Sequence, residues 1–444
     1  MKRILKTMKG KSNQLIAIIG IAIISISQFS FAQKSVLSKK EVKTTIDSLS
    51  VIINMHHIDK NVAEEMVNTL YTYFEDGRYD TINSKTSFAK TIESDLSTIV
   101  NDKHFHFFYD PENAKKSGES GVNELLNTML GNPHDNFGFQ EVTILPGNIG
   151  YWKFDLLPYP HDAGNIASAA LTFLSNTDAL IIDLTENRGG YNEMLQYILS
   201  CFFRYPTHIN TLYTRYTNEY QQFWTSPYTS GKILDSLDIY VLTSRVTFSA
   251  GEWFAYALQE YDRAKIIGET TKGGATPTDF FYIMDEYIMM LPNTSCVSPV
   301  SDTHFNNTGV KPDVTCTASQ AKDIAYELAV MKLDSAMTDQ SLKMEYKWIL
   351  DGINAKIRPA MISENDLKSI PGKYGRSTIR KIDESLFFYS YNGNKYEMLP
   401  INEVYFVLDG LDALRIKIVK EQDLITGIEA VYSNGYKNTI PRAK

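Results

Sequence analysis

Little in this chain points to metals, nucleotides or nucleic acid. Its 444 residues include only three cysteines, Cys201, Cys296 and Cys316, whose spacing fits no metal-ligand pattern. No Gly-x-x-x-x-Gly-Lys-Ser/Thr and no Gly-x-Gly-x-x-Gly occurs, so a nucleotide site has no support. Basic residues form no cluster after Lys11 and the net charge is −8, which argues against nucleic acid as a partner. Long apolar runs are also scarce. The only candidate, Leu15 to Ile26, is too short to span a bilayer with ease. Cys201 sits in an apolar helical pattern and reads as core. Cys296 and Cys316 could pair in an oxidising compartment, and the sequence leaves that open.

The apolar run instead fits a secretory signal peptide, residues 1–32. Lys2, Arg3, Lys6, Lys9 and Lys11 precede it, and Ser30-Phe31-Ala32 supplies small residues for cleavage before Gln33. No cysteine follows at the cleavage point to take a lipid. The expectation is a soluble, exported protein, periplasmic or extracellular.

Hydrophobic periodicity divides the remainder. Residues 33–137 read as a helical subdomain: Val62, Met66, Leu70, Tyr73 and Phe74 share one helical face, and Phe88, Ile92, Leu96, Ile99 and Val100 another. A strand over Phe105–Tyr109 follows, then a Gly-, Asn- and Ser-rich loop from Pro111 to Phe137. Residues 138–318 alternate strands (141–145, 149–154, 179–184, 239–243, 264–268) with helical segments, which predicts an α/β layer architecture. Residues 319–362 form a helical connector. Residues 363–444 read as a small β domain, with hairpin turns at Asn392-Gly393 and Asn434-Gly435.

The chemistry centres on Ile239–Pro277. Ser249 stands between a buried strand and a helix, so its hydroxyl lies near unpaired helix N-terminal amides able to hold a developing oxyanion. The same Ser-x-x-Glu, Ser249 to Glu252, is also an ordinary capping box, and this segment by itself favours the structural role. Gly189-Gly190 and Gly273-Gly274 sit at strand ends, where glycine allows close backbone approach.

Several motifs in fixed order add to this reading: LPGNIGYWKF, LIIDLTENRGGYNEML, VLTSRVTFSAGEWFAYAL, IIGETTKGGATP and GVKPDV. Together they resemble the C-terminal-processing (tail-specific) serine peptidase superfamily, in the branch similar to interphotoreceptor retinoid-binding protein and the tricorn protease core, without a PDZ domain. The resemblance spans roughly residues 40–318. It implies a crotonase-like ββα core and a serine peptidase cleaving peptides or unfolded proteins without a cofactor. The nucleophile would be Ser249, the general base His104, and the oxyanion donors Ala250 with Gly189 or Gly190. His106 is a competing base. The lysine base of the tail-specific branch falls at Gly274 here, which leaves Lys272 as an alternative base. The chain departs from the branch at three further points. Asn306 stands where a glutamate is usual, Lys103 where the tricorn core has a serine, and Thr185 where an arginine is common. An asparagine can orient a histidine but adds no charge, so reduced activity is expected. A homologue that only binds a peptide or apolar ligand in the old cleft is the alternative.

Overall fold

The computed structural model describes residues 37–115, 131–229, 232–422 and 424–443. The expected signal peptide lies outside the described residues, as do positions 116–130 of the expected loop.

Three helices open the described chain: α1 (Lys39–His56), α2 (Lys60–Glu75) and α3 (Lys85–Val100). Each has an N-cap side chain accepting from a first-turn amide: Ser38 from Glu41, Asp59 from Asn61 and Val62, and Ser84 from Ser87. Their apolar stripes meet in one cluster that includes Ile46, Leu49, Met66, Leu70, Phe88 and Ile92. Asn101 adopts φ 45° and stops α3 in the left-handed conformation. The chain then turns through Asp102 and His104 into β1 (His106–Tyr109), followed by the short helix α4 (Pro111–Ala114).

The α/β expectation is met. A six-stranded sheet contains β2 (Phe139–Leu145), β3 (Ile149–Phe154), β4 (Ala179–Asp183), β7 (Asp238–Thr243), β8 (Ala264–Gly268) and β12 (Val314–Thr315), in the order β12-β8-β7-β4-β3-β2. All neighbours are parallel except the β2–β3 hairpin. Helices cover both faces, which is why β4 is apolar at almost every position and wholly buried. On one side Leu180 and Ile182 pack with α5 (Pro160–Phe173), α6 (Asn192–Leu199) and α7 (Ala250–Glu260). On the other, Ala179 and Ile181 pack with α8 (Ala318–Ala336) and α9 (Gln340–Ile357). All three cysteines are free thiols. Cys296 belongs to the first layer and Cys316 packs against the second, so the sheet separates them.

Two smaller sheets were not anticipated. One joins β11 (Thr294–Val297), β5 (His208–Thr214) and β6 (Glu219–Trp224). The other joins β1 to β10 (Tyr287–Pro292) and β9 (Thr278–Ile283), so that a hairpin from the later half of the chain pairs with the helical N-terminal region. Its pleat splits two rows. Phe107, Met289 and Phe281 pack on the three helices, while His106, Met290 and Phe280 face the opposite way. Neither β9 nor β10 alternates apolar with polar residues, because the row facing away from the helices also carries apolar side chains, Phe280 and Met290.

After α10 (Glu364–Ser369) the chain forms eight consecutive antiparallel strands, β13 to β20, between Gly372 and Pro441. Tyr374 in the first strand bridges to Arg442 beyond the last, and Ala443 N–H donates to the Lys373 carbonyl at 2.8 Å. The meander thus closes on itself into a barrel. Its interior is filled by Tyr374, Phe388, Phe406, Ile416 and Ile428, among others. Arg415 docks the barrel on α9, its guanidinium 3.8 Å from the Trp348 ring centroid and bonded to the Trp348 carbonyl.

Candidate active site

A cleft of about 790 Å³ opens at the carboxyl ends of β4 and β7 and is walled on one side by the outward row His106, Met290 and Phe280. It is lined by His104, Gly190, Ser249, Ala250, Lys272 and Gly274 as well. Six chain segments therefore converge on a single space.

Ser249 sits in a strained turn, φ 55° and ψ −125°, a conformation that costs a non-glycine residue energy unless its surroundings enforce it. The enforcement is visible on both sides. Phe248 N–H donates to the Asn187 carbonyl at 2.9 Å, and Ser249 N–H to Glu252 Oε2 at 2.9 Å. Asn187 is fully buried; it donates to the Phe154 carbonyl and accepts from Gly189 N–H at 2.9 Å. Ser244 and Thr247 hydroxyls donate to the Thr185 and Leu184 carbonyls, sewing the two strand-end turns together. The glycines are needed here. A Cβ on Gly189 would come within 2.7 Å of Ser249 Cβ, and one on Gly251 within 2.3 Å of Asn187 Oδ1.

This arrangement leaves the expected oxyanion donors unequal. Ala250 N–H, at the first position of α7, makes no hydrogen bond among the described residues. Neither does Gly190 N–H. Gly189 N–H is taken by Asn187, so Gly189 serves close approach rather than donation.

Glu252 is more than a cap. Its side chain has no solvent exposure and accepts four hydrogen bonds: from Thr271 Oγ1, Gly273 N–H at 2.6 Å, Gly274 N–H at 2.8 Å and Ser249 N–H. Burial nonetheless outweighs these donors and raises its carboxyl above the ordinary glutamate value. One carboxylate thereby fixes the Ser249 turn against the Gly273-Gly274 turn.

Asp102 and His104 form the second half of the site. Asp102 Oδ1 accepts from His104 N–H at 2.9 Å and lies 3.2 Å from His104 Nδ1. Asp102 Oδ2 accepts from Asn306 Nδ2 at 3.1 Å, and Asn306 Oδ1 accepts from Ala275 N–H at 3.0 Å. Burial alone would push the Asp102 carboxyl up. The bonds from His104 and Asn306 prevail and hold it below the ordinary aspartate value. With Nδ1 turned to the carboxylate, His104 Nε2 is buried and has no hydrogen-bond partner. The imidazole stacks on Phe248, centroids 4.3 Å apart, and a Cβ on Gly274 would lie 2.7 Å from His104 Cε1. No hydrogen bond joins His104 to Ser249.

The structure changes three expectations. Asn306 makes no hydrogen bond to His104; it donates to Asp102, whose carboxylate stands beside His104 Nδ1. Lys272 is exposed, its ammonium 4.2 Å from the Phe248 ring centroid, and lacks the burial a lysine base requires. His106 is exposed and paired with Glu93 Oε1 at 2.7 Å through Nδ1. Asp102 carries no motif signal of its own, although an aspartate two residues before a histidine can accept the histidine's backbone N–H and orient the ring. Nothing in sequence separates the buried role of Glu252 from a routine cap.

The model of peptidase family S41 matches residues 147–316, and that of the N-terminal domain of peptidase S41 in eukaryotic IRBP matches residues 29–139. This chain belongs to peptidase family S41. Membership of family S41 supports, at the level of class, a serine-type hydrolase with peptide or protein substrates. Solved structures similar to this S41 chain include a lipoprotein from Streptococcus agalactiae at 14% identity, covering 66% of this chain and 96% of that one with a TM-score of 0.46. The photosystem II D1 C-terminal processing protease matches at 14% identity over 64% of this chain and 94% of its own, TM-score 0.43. The tricorn protease matches at 13% identity over 66% and 37%, TM-score 0.37.

Proposed function

We propose that this S41 member is an exported serine peptidase that cleaves peptide substrates, with Ser249 as nucleophile and His104 as general base and then general acid. The observation that carries the reading is the Asp102–His104 pair, in which His104 keeps Nε2 unpartnered and lines the same cleft as the Ser249 turn and the free Ala250 amide. In this reading His104 Nε2 takes the Ser249 hydroxyl proton as Oγ attacks the scissile carbonyl carbon. Asp102 stabilises the resulting imidazolium, and Ala250 and Gly190 N–H groups hold the oxyanion. His104 then returns the proton to the leaving amine, and water repeats the sequence to release the acyl group. Asn306 keeps Asp102 in place.

The catalytic unit would be residues 138–318, a crotonase-like ββα core, completed by His104 from residues 33–137. Residues 319–362 connect it to a β domain at 363–444. Export to the periplasm or beyond follows from the basic, apolar and small-residue pattern of residues 1–32.

A second reading, a homologue that only binds a peptide or apolar ligand, is favoured by the missing hydrogen bond between Ser249 and His104. A fluorophosphonate probe separates the two. Labelling of the wild type but not of Ser249→Ala supports the peptidase; no labelling of the wild type, or equal labelling of both, overturns it.

A further inference from the structure

We infer that the cleft selects peptides carrying a carboxylate close to the bond that is cut. This rests on the peptidase reading and names its substrate class. In a chain of net charge −8, the described residues lining the cleft include Lys103, Arg188, Arg245 and Lys272, and no aspartate or glutamate.

These cations keep most of their charge for an incoming group. Among the described residues Arg188 makes no side-chain hydrogen bond or ion pair; its backbone N–H donates to the Asp155 carbonyl at 2.9 Å. Lys272 rests on the Phe248 ring and Lys103 donates to the Lys272 carbonyl, and neither meets a carboxylate among the described residues. Arg245 reaches Glu269 at 3.5 Å, with its side chain 84% exposed. The nearby carboxylates of Asp102 and Glu252 lie behind the surface with their oxygens occupied by His104, Asn306 and the four donors of the Ser249 and Gly273-Gly274 turns. Asp155 and Glu186, close in space to Arg188, are outside the lining.

Charges of one sign set among apolar walls focus their field into the cleft. Here the walls are Trp253, Phe280 and Met290. Among the groups a peptide offers, a carboxylate answers this field, and arginine receives it through paired N–H donors. The carboxylate can come from an acidic side chain or from a free C-terminus.

Four matched peptide pools test the inference on the full mature chain: Glu or Gln at the positions flanking the scissile bond, each with a free or an amidated C-terminus. A carboxylate should raise kcat/KM by about tenfold, an order set by unit charges a few ångströms apart at a protein surface. The preference should shrink as salt is raised and in the Arg188→Gln/Lys272→Gln variant. An advantage of Glu alone assigns the side chain as the source, and of the free acid alone the terminus. Equal kcat/KM for all four pools, or a preference unmoved by salt and by the variant, overturns the inference. If no pool is hydrolysed, fluorescence anisotropy on labelled pools still decides. Tighter binding of the carboxylate-bearing pools keeps the inference while the peptidase reading falls; equal or absent binding overturns the inference too.

Discussion

Asn306 donates through Nδ2 to Asp102 Oδ2 at 3.1 Å, across 204 residues of chain. The bond leaves Asp102 Oδ1 free for His104, so an asparagine acts here by holding an acid rather than by replacing one. The charge partner of the histidine comes from two residues before it.

Replacing that acid is the most direct test. Asp102→Asn keeps the shape but removes the charge, and an amide can present its NH₂ group to Nδ1 and so favour the wrong tautomer. The expected loss in kcat/KM is on the order of 10²–10⁴. Peptide hydrolysis by the purified variant measures it; a loss below threefold would refute the assigned role.

The same aspartate predicts a pH effect on stability. Its folded-state value lies below the ordinary 3.8, so the folded chain binds that proton more weakly than the unfolded one. The stabilisation is complete above 3.8 and disappears as pH falls through the lower folded value. Melting temperature plotted against pH should therefore drop less steeply on the acid side of 3.8 in Asp102→Asn than in the wild type.

Glu252→Gln tests the central acceptor. Four donors converge on this carboxylate, and a glutamine offers one oxygen and an NH₂ group that opposes the remaining donors. A loss of about 1–3 kcal/mol in urea unfolding is expected. Because the Ser249 turn is one of the four partners, the initial rate of fluorophosphonate labelling should fall as well. Unchanged labelling would separate Glu252 from the nucleophile.

Gly274→Ala adds one methyl group where there is no room. Its Cβ would stand 2.1 Å from Phe248 Cε2 and 2.7 Å from His104 Cε1, so the ring and the imidazole must move. Displacement of a catalytic group by about 1 Å costs on the order of 10²-fold in rate. Hydrolysis should fall by that order with the far-ultraviolet circular dichroism unchanged. The same crowding explains why a longer residue has no place at this position.

The chain order by itself made much of the architecture legible. The helices at 39–100 carry 3.6-residue stripes and capping residues, the central strands are apolar runs ended by glycine turns, and Ser249 stands at such a turn. Ser249, His104 and Asn306 each stand in a distinctive stretch, and the fold brings Ser249 and His104 to one cleft with Asn306 behind them on Asp102. The β9–β10 hairpin was not legible, since apolar side chains on both of its rows remove the alternation. The barrel closure depends on Tyr374 meeting Arg442, a pairing that no local pattern encodes.

What only the tertiary structure decided is which groups touch. Capping, periodicity and turn chemistry act over a few residues and are written locally. The Asp102–Asn306 bond, the four donors around Glu252 and the four cations lining the cleft arise from segments up to 204 residues apart. Their meeting is set by how the sheet and its two helical layers pack, and packing is a property of the whole chain.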